Sequence, residues 1–352
     1  MKKVLLMSGL SMGGGAERVL TRLANFLDEN NFDVTYSSLY DNGYYDINDG
    51  VKKIVFDSKN HIRQLKDIRK CIKENSFDYI IAFMYPICIR LQLAIIGLKN
   101  KPVVISSERN DPNKIHGIKK IFRNWAYKKS NLLVFQTEMA KNYFKKSIKN
   151  KGFVIENPIP TNLPKPYTGE RKKRICCIGR LVEQKNFHLM INAFNKINEK
   201  HKEFVLEIYG EGPLELSLKK QVNELDLNDY VIFRGFSKNI YSDVIDSYAY
   251  VSTSNYEGIS NTMIEAISMG IPTICTDCPI GGARQMIIND INGILVPVND
   301  EKSLVDALLK LIDDPLFAKK LSDNYYILYE KYSIDIIGNK WIKLLDNCSN
   351  FK

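Results

Sequence analysis

The sequence contains no uninterrupted apolar run long enough to cross a membrane, no tandem repeat and no low-complexity tract. Residues 79–98 approach the ~20 apolar residues that a spanning helix needs, but Pro86, Arg90 and Gln92 interrupt them. A buried strand followed by a helix that begins near Pro86 fits this stretch better. We therefore expect no membrane-spanning helix.

The sequence lacks the cysteine pattern of a disulfide framework, because its seven cysteines are an odd number with no repeating spacing. This pattern argues against a disulfide scaffold and for a reduced cytoplasmic protein. Cys275 and Cys278 have the spacing of a redox pair without its sequence context, and we expect two buried thiols there. The first apolar run ends at Ser8, too early for a signal peptide.

The 352 residues correspond to about two domains of ~150 residues each. Short apolar strands alternate with helical periodicity along the whole chain, which is typical of parallel sheets covered on both faces. The predicted strands are residues 3–8, 34–38, 53–56, 79–83, 103–106, 132–135, 154–155, 174–179, 205–209, 231–233, 250–252, 273–275 and 293–296. Residues 157–171 contain four of the 12 prolines and form a linker between the two series. Two doubly wound domains would bind a ligand in a cleft between the carboxyl ends of their strands.

The net charge of +10 is concentrated in residues 113–151, which contain eleven Lys and Arg residues and one Glu. Lys141, Lys145 and Lys149 repeat at the four-residue spacing that keeps side chains on one side of a helix. Such a segment suits an anionic membrane surface or a phosphate-bearing substrate, while a solvated helix face remains the alternative. No base-stacking or groove-reading motif accompanies the charge, which argues against nucleic acid. The candidates for acceptor or membrane contact here are Lys119, Arg123, Lys141, Lys145 and Lys149.

The first predicted strand runs into a loop that contains Gly13, Gly14 and Gly15. A helix begins near Ala16, so that its backbone N–H groups can meet an anion that approaches the glycines closely. The loop lacks the spacing of the dinucleotide fingerprint, and a purely structural turn is the alternative.

The first strand of the second series ends in Gly179 and Arg180, and Lys185 lies just before the next helix. Two cations in a strand-to-helix loop suit a diphosphate, which gains from both the charges and the helix N terminus. Solvated charges would give the same pattern in isolation. Two further strand exits, at Gly210 and at Arg234 and Phe236, offer backbone amides and an aromatic ring to a planar base.

Residues 255–270 hold only two charges, Glu257 and Glu265, in an apolar segment. Glu257 follows a predicted strand, so its carboxylate can accept hydrogen bonds from ligand hydroxyls at the strand end. Glu265 falls about two turns into the next helix and can reach a vicinal diol such as a ribose. Between them, Gly258 clears space, and the N–H groups of Ile259 and Ser260 can meet a phosphate.

The segments GGGAER, IGRLVEQKN, YGEGP, FRGF and EGISNTMIEAISMGIPTI together resemble the retaining glycosyltransferases of family four. The resemblance extends over nearly the whole chain and is most specific in residues 174–296. The chain resembles in particular bacterial transferases that extend lipid-linked oligosaccharides in N-glycan, capsule or O-antigen assembly. It implies the GT-B fold, an α/β architecture in which two Rossmann-like doubly wound domains face each other across a cleft.

The resemblance implies an acceptor-binding domain over residues 1–160, a linker over 161–172 and a nucleotide-sugar-binding domain over 173–332. A C-terminal helix over 333–352 would cross back to the first domain. The reaction would transfer a hexose or N-acetylhexosamine from a nucleotide sugar, expected to be UDP-linked, to a polyprenyl-diphosphate-linked glycan. We expect no cofactor and no metal, because no Asp-x-Asp occurs in the chain. The protein would be cytoplasmic and peripheral on the inner face of the cell membrane.

The same resemblance assigns roles to the residues of the loops. Arg180 and Lys185 would neutralise the donor diphosphate, Glu257 would contact the donor sugar, and Glu265 would contact the ribose. Gly14 and Gly15 would bring backbone amides near the sugar phosphate. The departing phosphate would accept the proton of the acceptor hydroxyl in a front-face attack.

One segment departs from the family pattern. Many members carry a histidine after the strand that here continues into Glu108, Arg109, Asn110 and Asp111. We select Glu108 as the catalytic replacement and Arg109 as an acceptor contact, in preference to His116. An ion pair that braces the loop is the alternative. Two other functions also remain open: a sugar phosphorylase or nucleotide-sugar epimerase on this fold, and a non-catalytic basic membrane-binding protein.

Overall fold

The computed structural model describes residues 1–9, 14–40 and 45–348. The chain divides into two compact units, residues 1–158 with 334–352 and residues 159–333. Each unit contains one parallel sheet, which agrees with the α/β class expected from the alternation of strands and helices.

The first unit contains a seven-stranded parallel sheet with the strand order β3-β2-β1-β4-β5-β6-β7. The order reverses between β1 and β4, as in doubly wound folds. Its elements up to residue 158 are β1 (Lys2–Met7), α1 (Gly15–Glu29), β2 (Phe32–Ser38), β3 (Lys52–Val55), α2 (His61–Asn75), β4 (Tyr79–Phe83), α3 (Tyr85–Ala94), β5 (Val103–Ser107), a 3-10 turn (Pro112–Lys114), α4 (Gly117–Lys129), β6 (Leu132–Phe135), α5 (Glu138–Asn142), α6 (Lys146–Lys149) and β7 (Gly152–Val154).

The second unit contains a six-stranded parallel sheet with the order β10-β9-β8-β11-β12-β13. Its core lies between one face of this sheet and the helices α7 and α12, where Ile175, Leu206 and Phe194 are fully buried. The elements are β8 (Lys172–Ile178), α7 (Phe187–Asn198), β9 (Val205–Tyr209), α8 (Glu215–Glu224), β10 (Val231–Gly235), α9 (Ile240–Val244), β11 (Ser247–Ser252), α10 (Asn261–Ser268), β12 (Thr273–Thr276), a 3-10 turn (Pro279–Gly281), α11 (Gly282–Met286), β13 (Ile294–Val296), α12 (Glu301–Asp313), α13 (Pro315–Asp323) and α14 (Tyr326–Tyr332).

The last helix, α15 (Ile334–Asn347), belongs to the first unit. Gly338 lets it approach α1 closely, because an added Cβ would lie 2.3 Å from ring atoms of Phe26. Trp341 is buried against Phe83, with 6.1 Å between ring centroids. No helix in residues 1–9, 14–40 or 45–348 is long and apolar enough to span a bilayer.

The alternation of short apolar runs with helical periodicity located the strands that the structure describes to within a few residues. The predicted and observed bounds coincide at Tyr79–Phe83, Leu132–Phe135 and Val205–Tyr209. All seven cysteines are free and buried, including Cys275 and Cys278. Burial raises the pKa of the Cys278 thiol to about 11, so it is protonated at neutral pH.

Candidate functional site

Two loops at the carboxyl edge of the second sheet are fastened to each other. Residues 179–186 follow β8 and residues 253–260 follow β11, which is the neighbouring strand. The Thr253 hydroxyl donates to the carbonyls of Lys185 and Asn186 at 3.0 Å each. The backbone N–H of Asn255 donates to the backbone carbonyl of Gln184 at 2.8 Å. The two loops therefore form one layer, and their side chains have fixed relative positions.

Lys185 and Glu257 form an ion pair across this layer, between Nζ and Oε1. Each side chain is 18% exposed, so the pair is only partly open to water. The Ser254 hydroxyl donates to the same Glu257 oxygen at 3.2 Å. The structure thus brings together two of the predicted catalytic residues, which are 72 positions apart in sequence.

Arg180 precedes Lys185 in the same loop and is exposed. Within residues 1–9, 14–40 and 45–348 it has no carboxylate partner. The loop passes close to the exit of β9, where Gly210 has a φ of +130°. A Cβ at Gly210 would lie 2.0 Å from the carbonyl oxygen of Gly179, so only glycine fits there. The absence of a side chain at Gly210 therefore allows the loop that begins at Gly179 to pack against the end of β9.

The predicted phosphate-binding residues Gly258, Ile259 and Ser260 lead directly into α10. Ser260 has an extended backbone at the N-cap position, and its side chain does not cap the helix. Its hydroxyl pairs instead with that of Thr262 at 3.0 Å. The N terminus of α10 follows the loop whose Glu257 contacts Lys185, and a helix dipole favours an anion at such a terminus. Glu265 lies within α10 and is only 3% exposed.

Arg234 and Phe236 are further along the sheet, at the exit of β10. Phe236 is 68% exposed, so its ring is accessible to a planar ligand. The Arg234 guanidinium instead donates to Glu207 in β9, with Nη2–Oε1 at 2.6 Å. This hydrogen bond raises the pKa of Arg234. The charge of Arg234 is therefore engaged on the face of the sheet.

The sequence-based prediction missed Glu207 and its neighbour Arg174, which pair at 3.2 Å. They line the sheet face opposite the core, beside a groove of about 630 Å³. The alternation of side chains along β9 could have identified Glu207, because Glu207 and Tyr209 share one face of the strand while Leu206 and Ile208 are in the core.

In the first unit, Gly14 is the N-cap of α1 and Gly15 is its first residue. Gly13 lies outside the described residues. Glu17, which the sequence-based prediction did not consider, is in the first turn, and an added Cβ on Gly14 would lie 2.2 Å from its Oε2. A carboxylate therefore already lies beside the helix N terminus that was predicted to meet a phosphate.

The structure corrects the roles predicted for Glu108 and Arg123. Arg123 is 0% exposed and cannot contact a membrane surface. Its Nη1 lies 3.9 Å from Oε2 of Glu108, which also accepts a hydrogen bond from Tyr127 at 3.1 Å. Burial raises the pKa of Glu108, and Arg123 and Tyr127 oppose this rise. These contacts favour the alternative of a bracing ion pair over a catalytic role.

Arg109 is also buried, with its guanidinium 4.4 Å from the ring centroid of Phe83. It donates to Asn157, while its Nε has no hydrogen-bond partner in the described part of the chain. Burial lowers the pKa of Arg109 to about 9. Arg109 thus lies inside the carboxyl edge of the first sheet, not on an open surface.

The prediction that Lys141, Lys145 and Lys149 share one helix is wrong. The helices α5 and α6 are separate, and Lys145 between them has an extended backbone with a ψ of 156°. Phe144 fixes this bend, because it is buried against Phe135 and Tyr127 at centroid distances of 5.2 and 5.6 Å. Tertiary packing therefore overrides the four-residue spacing.

Helix α4, which lies within the predicted basic segment 113–151, presents both apolar and basic side chains to solvent. Its exposed residues include three large apolar side chains among lysines, with Ile118 and Ile121 each 68% exposed and Phe122 48% exposed. Lys119 and Lys120 lie between them and are exposed. We call Ile118, Lys119, Lys120, Ile121 and Phe122 the α4 surface.

Comparison with known families assigns both halves of the chain. Residues 13–163 match the model described as Glycosyltransferase Family 4, and residues 159–327 match the model described as Glycosyl transferases group 1. Together the two matches extend over nearly the whole chain. It belongs to the GT4-type glycosyltransferases. The family expected from the five sequence segments is therefore confirmed.

Two curated relatives align with this transferase over almost their full length. The amylovoran biosynthesis glycosyltransferase AmsD of Erwinia amylovora is 24% identical over 98% of this chain and 99% of its own. A Campylobacter jejuni α-1,4-N-acetyl-D-galactosaminyltransferase, whose name gives a PP-undecaprenol-linked acceptor, is 25% identical over 99% of this chain and 100% of its own.

Among solved structures, HepE of Anabaena in complex with UDP is similar to the transferase with a TM-score of 0.81. It is 16% identical and covers 99% of this chain and 100% of its own. This similarity supports the GT-B fold.

Proposed function

We propose that the transferase moves a hexose or N-acetylhexosamine from UDP to a hydroxyl of a polyprenyl-diphosphate-linked glycan, with retention of the anomeric configuration. The observation that carries this proposal is the contact between Lys185 and Glu257 in the fastened loops of the second unit. Lys185 is suited to a phosphate and Glu257 to sugar hydroxyls. In a nucleotide sugar the phosphate and the sugar are bonded to each other, so two side chains in contact can bind both. UDP in the complex of HepE and the acceptor named for the Campylobacter enzyme support the two substrate classes.

Lys185 and Arg180 neutralise the charge that develops on the diphosphate as the sugar departs. Preorganised cations of this kind stabilise a transition state more than a ground state, because the leaving group gains charge along the reaction. The N terminus of α10 adds its dipole at Gly258–Ser260. No metal is needed in this scheme, since the chain's own cations carry out the neutralisation.

Glu257 orients the donor sugar through its hydroxyls, and Glu265 holds the ribose. The departing phosphate oxygen accepts the proton of the acceptor hydroxyl on the same face of the sugar, which retains the anomeric configuration. The new glycosidic bond forms at the anomeric carbon as its bond to the phosphate oxygen breaks.

The α4 surface docks the first unit on the anionic inner face of the cell membrane, where a polyprenyl-linked acceptor resides. Its apolar side chains enter the acyl boundary, and the lysines meet lipid phosphates. The exposure of Ile118, Ile121 and Phe122 supports this role, because large apolar residues adjacent on a helix are seldom left in water.

A panel of nucleotide sugars tests the donor assignment. We expect thermal stabilisation by UDP and by one UDP-sugar, followed by a product one sugar heavier on a polyprenyl-diphosphate-linked acceptor. An NMR coupling constant of the new linkage reports retention. Stabilisation by no nucleotide, or sugar transfer to inorganic phosphate alone, would overturn the proposal.

A further inference from the structure

Residues 276–282 lead from the end of β12 to the start of α11, and we call this segment the third loop. It follows β12, whose neighbour in the sheet is β11. The Thr276 hydroxyl at the end of β12 donates to the carbonyl of Ser254 at 2.6 Å, and the Cys278 thiol donates to the same oxygen at 2.9 Å. Ser254 in turn donates to Glu257 at 3.2 Å. A continuous set of contacts therefore leads from β12 to the carboxylate of Glu257.

The same third loop approaches the backbone at Gly258. A Cβ added at Gly282 would lie 1.8 Å from the carbonyl oxygen of Gly258 and 3.2 Å from Cα of Ile259. Both contacts are with backbone atoms, so no side-chain rotation could relieve them. The residue at 282 therefore sets how far the segment Gly258–Ser260 can recede.

The third loop reaches this position through strained backbone. Ile280 has a φ of +66°, which is unfavourable for a β-branched residue, and its side chain is 4% exposed. A turn that served only to connect β12 with α11 would be free to use glycine or asparagine there. On its N-terminal side, this segment is anchored by the contacts of Thr276 and Cys278 to the Ser254 carbonyl.

We propose that the third loop, through Thr276 and Gly282, positions the donor-binding segment 254–260. We class these two as positioning residues, because Thr276 donates to the backbone carbonyl of Ser254 and Gly282 packs against the backbone at Gly258. This inference rests on the proposed function, in which residues 257–260 bind the sugar and the phosphate of a nucleotide sugar.

The chain offers a matched pair of substitutions for the test. Thr273 and Thr276 are at opposite ends of β12, are 0% and 2% exposed, and each donates to a backbone carbonyl. The Thr273 hydroxyl bonds to Ile271 at 2.8 Å, at the end of the strand away from the loops. Thr276→Val and Thr273→Val therefore remove equivalent hydrogen bonds, of which only one leads to Glu257.

We expect Thr276→Val to raise the Kd for UDP and the KM for the donor about 5-fold, the scale of one hydrogen bond. Thr273→Val should leave both within about 2-fold, while the two variants lose similar thermal stability. Equal effects of the two variants on UDP binding, or none from Thr276→Val, would overturn the inference. If the parent protein binds no nucleotide at all, the proposed function itself is wrong.

Gly282→Ala provides a second, independent arm. It should weaken UDP binding at least about 10-fold, because the Gly258 carbonyl must move to relieve a contact of 1.8 Å with the added Cβ. Gly293→Ala is its control, since an added Cβ there would meet Ile287 and Thr273 at 3.2 Å and no atom of the donor segment. If the folded Gly282→Ala protein binds UDP as the parent does, the segment is not positioned from this side.

Discussion

Nζ of Lys185 contacts Oε1 of Glu257, so each charge compensates the other. Both side chains are 18% exposed, and compensation in such a site is worth more than on an open surface. A diphosphate that binds Lys185 must compete with the carboxylate. In the proposed function, Glu257 would then leave the ion pair and accept hydrogen bonds from the sugar. The pair would therefore couple binding of the diphosphate to formation of the sugar contact.

This competition predicts opposite effects of Glu257→Gln on binding and on turnover. Glutamine keeps the shape and removes the charge, so Lys185 should bind UDP about 5-fold more tightly, equivalent to ~1 kcal/mol. Turnover should fall by ~10², because the sugar contact weakens in the transition state. Isothermal titration with UDP and steady-state kinetics measure the two quantities.

Glu265→Gln is the comparison for this substitution. A ribose contact is made equally in the ground and transition states, so its loss should weaken UDP binding and leave kcat near the parent value. If both glutamine variants weaken UDP binding to the same extent, Glu257 does not compete for Lys185.

Lys185→Ala should lower kcat by ~10²–10³, the usual scale for removal of one preorganised charge stabiliser. Lys196→Ala is the matched control, because Lys196 lies on the adjoining helix α7 with its side chain 52% exposed. It should turn over at the parent rate. Normal turnover by folded Lys185→Ala would remove the lysine from the leaving-group role.

Transfer should continue in excess EDTA, because Arg180 and Lys185 supply the charge that a metal would supply elsewhere. The measurement is the initial rate with and without the chelator, followed by readdition of magnesium. Complete loss in EDTA that magnesium restores would show that the leaving group is neutralised by a metal.

The strands could be predicted because buried parallel strands are apolar runs bounded by polar turns, as at Tyr79–Phe83. The proximity of Lys185 and Glu257 follows from the same pattern, since both lie at carboxyl ends of strands in one sheet. The burial of Arg123 could not be predicted, because its partner Glu108 is on a different element and an isolated arginine is usually exposed. The bend at Lys145 depends on where Phe144 packs, which local spacing does not encode.

The buried pair of Glu108 and Arg123 predicts a pH-dependent loss of stability in Arg123→Met. Breaking such a pair costs about 3–5 kcal/mol, because Glu108 would remain charged and unpaired. Burial already raises the pKa of Glu108, and the loss of Arg123 should raise it further. The folded variant then binds a proton more strongly than the unfolded chain does. Its deficit should therefore shrink as the pH falls from above the folded pKa toward the unfolded value.

Urea unfolding of the parent and the variant at pH 5 and pH 8 measures this deficit. Lys119→Met on the exposed side of α4 is the control, and its free energy of unfolding should stay within about 0.5 kcal/mol of the parent value. A deficit for Arg123→Met that is the same at both pH values would mean that Glu108 does not titrate in this range.

The proposed role of the α4 surface predicts that the transferase binds anionic membranes. Ile121→Ser with Phe122→Ser should reduce sedimentation with anionic liposomes by at least about 10-fold, since each apolar side chain contributes on the order of 1 kcal/mol when it enters the interface. Lys119→Glu with Lys120→Glu should reduce it similarly at low salt, and added salt should weaken the parent itself. Leu216→Ser is the control, because Leu216 is 84% exposed on α8 of the other unit. UDP binding should be unchanged in all of these variants. If the two double variants sediment as the Leu216→Ser protein does and still extend a lipid-linked acceptor at the parent rate, α4 is only a solvated helix.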